Sequence, residues 1–109
     1  MATALVQEFK IAGDDRTTTN YDHLMKTLAL DGSPPPGLIV HTAGWDETSG
    51  VFRIFAVWES AEQAGTFIRD RVRPVLEEAL PNPDRSDAPD LESMYDLHHF
   101  VDRSSGPPI

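Results

Sequence analysis

The sequence contains no cysteine, which excludes disulfide bonds, thiolate metal sites and a cysteine nucleophile. It also contains no apolar run near the roughly 18 residues that a membrane-spanning helix needs. The first ten residues, MATALVQEFK, lack the basic and then apolar layout of a secretory signal peptide. We therefore expect a cytoplasmic protein that does not associate with a membrane.

Basic residues are scarce, since nine lysines and arginines stand against 18 aspartates and glutamates, and the formal net charge is −9. A field of that sign repels phosphate backbones and anionic lipids, so we expect no nucleic-acid partner. The sequence has no glycine-rich phosphate loop, no nucleophile elbow and no Ser-His-Asp order. Nicotinamide, flavin and ATP sites are therefore not indicated, and we expect no cofactor.

The length and composition are typical of one globular domain, with 109 residues of which 39% are hydrophobic and 25% are charged. We assign residues 1–103 to this domain and residues 104–109 to a flexible tail. Alternating apolar residues predict four strands, over residues 3–11, 38–45, 51–59 and 91–101. The stretch DETSG, residues 46–50, predicts a hairpin between the second and third strands.

Helical spacing of apolar residues predicts two helices. The first has threonines at 17–19 as candidate N-caps, ends at residues 31–32, and carries one apolar stripe: Tyr21, Leu24, Met25 and Leu28. The second begins after Ser60, the predicted N-cap, with Gln63 as its capping-box partner. Pro74 lacks a backbone N–H and predicts a kink near Arg73.

The element order β-α-β-β-α-β is typical of the ferredoxin-like α+β fold, with two helices on one face of a four-stranded antiparallel sheet. The predicted third strand is apolar on both sides, with Val51, Phe55 and Val57 on one side and Phe52, Ile54, Ala56 and Trp58 on the other. One layer of helices covers only one side, and an exposed apolar face would aggregate. We therefore expect a homodimer in which two sheets meet through a two-fold axis.

One long stretch, PPPGLIVHTAGWDETSGVFRIFAVWESAEQAGTFIRDRVRPVLEEAL, resembles the dimeric α+β barrel superfamily. It is most similar to small bacterial members of the antibiotic-biosynthesis-monooxygenase-like group, and the turns GLIVH, VWES and RVRP carry the resemblance. That superfamily includes cofactor-free oxygenases of polyketide quinones, haem-degrading enzymes and muconolactone isomerases. The resemblance implies a dimeric α+β barrel that binds a small aromatic or polyketide-like molecule.

His41 is the candidate catalytic residue. It lies in the middle of the second strand, on the side that Ile39, Ala43 and Trp45 share. Leu38 and Val40 are predicted to share the other side of that strand. A histidine there can act as a general base, because its pKa lies near working pH. A histidine that only lines the dimer seam or bonds to a neighbour is the alternative, and it stays open. In this group of barrels the position resembles a pocket-lining one.

The candidate substrate-binding residues are mostly aromatic, because flat apolar rings can stack on a flat ligand. They are Trp58, Tyr95, Phe67 and Tyr21, together with Arg53, which interrupts an apolar strand side. Trp58 and Tyr95 also carry an N–H and an O–H that need partners. An ordinary core is the better explanation for most of the aromatic residues, and a salt bridge at the seam is the preferred interpretation of Arg53.

A metal site is not indicated. His98 and His99 are adjacent on a predicted strand and would point to opposite faces, so they cannot both bind one ion. Asp96 and His98 share a side and could form either a relay or a surface charge pair.

Three functions remain open. The first is a cofactor-independent enzyme, either a monooxygenase or a cyclase or isomerase, with His41 moving a proton while Trp58 and Tyr95 orient the ligand. The second is a non-catalytic ligand-binding or stabilising dimer. The third is haem handling, for which His41 would serve as the proximal ligand.

Overall fold

The computed structural model describes residues 2–30, 32–78 and 88–101. The strands are β1 (Thr3–Lys10), β2 (Leu38–Asp46), β3 (Val51–Trp58) and β4 (Leu91–Asp96). The helices are α1 (Thr19–Leu28), α2 (Ala61–Phe67) and α3 (Arg73–Glu77), and a π-helical segment, Ile68–Val72, joins α2 to α3 without a break. The predicted tail and most of the crossing between α3 and β4 lie outside the described residues.

The four strands form one antiparallel sheet in the order β2-β3-β1-β4. This confirms the predicted α+β class, and β1 to β3 match the predicted bounds to within one residue. The predicted β4 was too long, because the strand ends at Asp96 rather than at Val101. Asp96 pairs with Thr3, the first residue of β1. Among the described residues, one further bond between these two segments follows, from the Leu97 N–H to the Ala2 carbonyl.

The first helix differs from its prediction at both ends. Thr18 occupies the N-cap position, but its side chain makes no capping bond and donates to Asp22 instead. The helix ends at Leu28, three residues before the predicted stop, where Ala29 adopts a left-handed conformation with φ 54°. The Ala29 N–H then bonds to the Met25 carbonyl, which satisfies a carbonyl of the last turn.

The second helix is capped as predicted, since the Ser60 hydroxyl accepts from the Gln63 N–H at 3.1 Å. A π-helical segment lies directly before Arg73, the position of the predicted kink. There the Arg73 N–H reaches back five residues to the Ile68 carbonyl. Because Pro74 has no N–H to give, the wider turn shifts the bonding pattern just before it, and the helix continues into α3.

The helices pack on one of the two faces of the sheet. On the helix face, Leu5, Ala56 and Trp58 pack against Ala64 of α2, with Leu38, Phe67 and Ile68 around them. A bulge between Leu38 and Val40 places these two residues on opposite faces, which corrects the prediction that they share one. Among the described residues, no helix is long and apolar enough to cross a bilayer.

The other face, called the outer face below, carries an apolar row that crosses all four strands. Register partners place Val40, Val57, Ala4 and Tyr95 side by side in this row. The two central residues are buried at 0% and 5% exposure, whereas Val40 and Tyr95 at the edges are 41% and 47% exposed. No helix of the described chain packs on the row, so the prediction of a strand that is apolar on both sides is confirmed for β3.

Candidate functional site

His41 lies in β2 and faces the helices. Its register partner is Ala56, which belongs to the core of the helix face, and residues that pair directly across strands share a face. The same register places Ala43 opposite Ile54 and Trp45 opposite Phe52. The predicted side of His41 is therefore the side that the helices cover, and the imidazole is half-buried there.

Tyr21 of α1 is the hydrogen-bond partner of His41. Its Oη lies 2.9 Å from Nε2 of the imidazole. The two ring planes differ by 10°, with centroids 6.2 Å apart. Tyr21 reaches the sheet because it belongs to the apolar stripe of α1, which packs over β2 and β3. The fold thus joins two residues that are 20 positions apart in the sequence.

Aromatic rings surround this pair. The edge of Tyr21 meets Phe52 at 5.4 Å and 73°, and Trp45 lies 4.7 Å from Phe52. The Arg16 guanidinium stands 5.4 Å above the Trp45 ring and donates two bonds to Glu47. Sequence reasoning left Trp45 and Phe52 out of the site. Their alternation with His41 and Ala56 was the signal that could have found them.

Trp58 and Phe67 form a second aromatic contact on the helix face, with centroids 5.3 Å apart. Trp58 is 3% exposed, and its Nε1–H is buried without a hydrogen-bond partner in the described part of the chain. A buried donor without an acceptor costs about 1–3 kcal/mol, so such groups commonly meet a water or a ligand. Trp58 lies two residues beyond Ala56, the register partner of His41, and on the same face.

Arg53 and Tyr95 lie on the outer face and do not join His41. Tyr95 pairs with Ala4 in the apolar row. Arg53 donates through Nε to Glu8 and through Nη1 to Asp46, both at 2.7 Å. The preferred reading of Arg53 was a salt bridge across the dimer seam, whereas both observed bridges are within one chain. Because two carboxylates already hold the guanidinium, it is not arranged as a clamp for an anionic ligand.

These contacts set the charges on the outer face. The hydrogen bond from Arg53 and a weaker one from the Ser49 N–H lower the pKa of Asp46 to about 2. The hydrogen bonds that Arg53 donates, first to Asp46 and second to Glu8, raise the pKa of Arg53. Asp46 and Arg53 therefore stay charged at neutral pH.

The other histidines are placed away from His41. His98 and His99 are exposed and follow the end of β4, so neither lies on the predicted strand. Asp96 accepts a hydrogen bond from the Thr3 hydroxyl at 3.3 Å. Within residues 2–30, 32–78 and 88–101, no group of three or more histidine or acidic side chains is placed to hold a metal ion.

Known proteins match this chain by structure rather than by sequence. No protein-family model matches the sequence, and no curated protein does. A Chloroflexus aurantiacus J-10-fl protein, assigned by its name to the antibiotic biosynthesis monooxygenases, is 16% identical with a TM-score of 0.60, over 94% of this chain and 98% of its own. Rv0793 from Mycobacterium tuberculosis is 11% identical with a TM-score of 0.57, over 94% and 99% of the two chains. The protein YJCS is 16% identical with a TM-score of 0.56, over 89% and 99%.

This chain has the fold of the antibiotic-biosynthesis-monooxygenase-like proteins. The resemblance stated from the residues is thereby confirmed for the fold. Identities of 11–16% transfer no residue roles, so the site depends on the chain's own geometry.

Described residues line one cleft beside α2 and another at the edge of β2, and His41 is not among the residues that line these two. One, of about 560 Å³, lies between α2 and the Pro35–Pro36 segment, with Phe67 and Arg71 in its wall. The other, of about 280 Å³, is a shallow depression beside Gly44 and Arg53 at the β2 edge. His41 is instead approached along β2, where its neighbour Ala43 on the same face is exposed.

Proposed function

We propose that this chain is a small-molecule-binding protein that acts as a cofactor-independent enzyme on an aromatic or polyketide-type substrate. The observation that carries the proposal is the 2.9 Å hydrogen bond between Tyr21 and His41 beside the aromatic rings of Trp45 and Phe52. An imidazole can accept and return a proton near neutral pH, and apolar rings suit a flat ligand.

Space and access support this position. Ala43 and Ala56 are small, and they lie beside His41 along β2 and across from it on β3. Ala43 is exposed although its side chain faces the helices, so a ligand can enter at this edge of the sheet. The orphaned Nε1–H of Trp58, farther along the same face, offers a donor for a ligand carbonyl.

The chemistry begins with removal of a proton from a phenol or an enol. The resulting anion is electron-rich and can give its electrons to O₂. One oxygen atom then enters the substrate as a carbonyl, and the other leaves as water with the two hydrogens that the substrate loses. Without O₂, the same proton transfer drives a cyclisation or an isomerisation.

The proposed working form is a homodimer. Val40 and Tyr95, at the two ends of the outer-face row, are 41–47% exposed, and so is Leu91. Burying an apolar side chain of this size contributes about 1.5–3 kcal/mol, so a second copy laid on this face is stabilised. The ion pairs of Arg53 within the chain leave little net charge to oppose it.

The enzyme proposal is tested with a panel of polyhydroxylated naphthalenes and anthracenes. Oxygen uptake and ultraviolet–visible spectra are recorded for the wild-type chain, for His41→Gln and for His98→Gln, an exposed control histidine beyond β4. We expect His98→Gln to match wild type and His41→Gln to lose about 100-fold in turnover. Equal turnover in His41→Gln, or no reaction with any compound, counts against the proposal.

A second candidate, a ligand-binding protein without catalysis, is favoured by one observation. The buried Nε1–H of Trp58 needs an acceptor but contributes no acid–base chemistry. In that case naphthol binding survives His41→Phe and is lost in Ala43→Trp, which fills the entry. For haem handling, Nε2 of His41 is already held by Tyr21, and we expect a haem titration to give no Soret shift.

A further inference from the structure

The acid–base properties of phenol and imidazole indicate which of Tyr21 and His41 donates the hydrogen bond between them. An isolated phenol has a pKa near 10 and an isolated imidazole one near 6.5, so isolated side chains of both kinds are mostly neutral around pH 7.5. A neutral imidazole accepts at one nitrogen and carries its proton on the other. Of two neutral partners the phenol is the stronger donor, which favours an O–H directed at Nε2 and an imidazole proton on Nδ1.

The positions of the two rings are compatible with that assignment. An Oη–Nε2 distance of 2.9 Å together with a centroid separation of 6.2 Å means that the phenol meets the imidazole at its edge, where the Nε2 lone pair lies. The contact of Tyr21 with Phe52 on its other side fixes the ring against the sheet. The lone pair that would make His41 a base is therefore directed at Tyr21.

We propose that Tyr21 and His41 act as one acid–base unit in which the Tyr21 oxygen takes the proton of the ligand. As the ligand O–H or C–H bond breaks, a new O–H bond forms on Tyr21, and the original Tyr21 proton moves to Nε2 of His41. The products are the ligand anion and an imidazolium, and Tyr21 is a neutral phenol before and after. The reverse transfer returns the proton to the product. This inference rests on the proposed function and makes Tyr21 a catalytic residue within it.

The relay explains why both groups are needed. A phenol alone is a poor acid–base group near neutrality because its pKa is too high, whereas the imidazole supplies the matching basicity. Ala43, next to His41 on the same face of β2, is small and exposed, so a ligand can approach the pair from that side. Tyr21 is thus assigned a more specific role than stacking on the ligand.

The first arm of the test needs no substrate. The imidazole nitrogens of the wild-type chain, labelled with ¹⁵N-histidine, are observed by long-range ¹H–¹⁵N NMR at pH 7.5, and His41→Gln identifies the His41 signals among the four histidines. We expect His41 as the Nδ1–H tautomer, and a shift toward Nε2–H in Tyr21→Phe. A wild-type His41 that carries its proton on Nε2 overturns the proposal, because the imidazole would then be the donor.

The second arm uses the compound of the hydroxylated naphthalene and anthracene panel with the highest turnover. Tyr21→Phe should lose about 100-fold in kcat, as His41→Gln does, and the double variant should be no slower than either single one, as expected for residues that act as a unit. Wild-type turnover in Tyr21→Phe beside an inactive His41→Gln overturns the relay, because His41 then takes the proton directly. If the wild-type chain converts no compound, the proposed function fails, and the NMR arm still decides the direction of the hydrogen bond.

Discussion

Gly37 lies directly against the side chain of Gln63. A Cβ atom on Gly37 would stand 2.5 Å from Cδ of Gln63, and Gly37 adopts φ +91°, a conformation that other residues rarely take. The Gly37 carbonyl accepts from the Glu59 N–H, and Gln63 contacts the cap residue Ser60. The residue before β2 and the first turn of α2 therefore pack directly against each other at this point.

Substituting Gly37→Ala should destabilise the chain by about 1–3 kcal/mol, because it combines backbone strain with a steric overlap. Gly65→Ala is the matched control: a Cβ there meets nothing within 4 Å, and alanine is favoured over glycine in a helix, so we expect a gain of up to about 1 kcal/mol. Urea unfolding measures both. A neutral Gly37→Ala would contradict this account of the junction.

The cap at Ser60 and the uncapped position at Thr18 should respond differently to alanine. Ser60→Ala removes the bond from the Gln63 N–H and should cost about 1 kcal/mol. Thr18→Ala removes only an exposed bond to Asp22 and should cost less than about 0.5 kcal/mol. Denaturant midpoints of the two variants give the comparison, and equal losses would show that Thr18 caps α1 after all.

The pairing of Asp46 with Arg53 predicts a dependence of stability on pH. The pKa of Asp46 falls from an ordinary 3.8 to about 2 in the folded chain, so its stabilisation is present above pH 3.8 and is lost as the pH falls toward 2. The free-energy difference between wild type and Asp46→Asn should therefore shrink over that window. Urea unfolding at several pH values tests this. In an Arg53→Gln background the Asp46→Asn difference should depend much less on pH.

The outer face offers a test of assembly. Val40→Lys places a charge at the exposed end of the apolar row, where it costs a single chain less than about 0.5 kcal/mol but disrupts a sheet-to-sheet dimer. Thr48→Lys, in the exposed hairpin, changes the net charge equally and should leave assembly intact. Sedimentation velocity at micromolar concentration should show a dimer for wild type and Thr48→Lys, and a monomer for Val40→Lys. A monomeric wild type removes the dimer proposal.

The fold was readable from the sequence because its signals are local. The alternation of apolar residues predicted β1 to β3, and Ser60 as the N-cap predicted the start of α2. Where local signals competed, the prediction failed. The Thr18 hydroxyl donates to Asp22 instead of capping the first turn of α1. A bulge near Val40 changed which residues of β2 share a face.

The site was only partly readable. The side of His41 followed from alternation along β2, and Tyr21 was assigned to the ligand-binding set without its partner. Arg53 and Tyr95 were grouped with His41, yet they lie on the outer face. Which face of a strand meets the helices depends on packing between distant elements, and no pattern within the strand reports it.

The sequence by itself determined the element order, the positions of β1 to β3 and the presence of a strand with two apolar sides, because each depends on the spacing of neighbouring residues. The tertiary structure decided that Tyr21 bonds to His41 at 2.9 Å, since that contact requires α1 to cross the sheet at one position and angle. It also decided that Arg53 is held by Glu8 and Asp46, because antiparallel pairing with β1 and β2 brings those carboxylates to its side of the sheet.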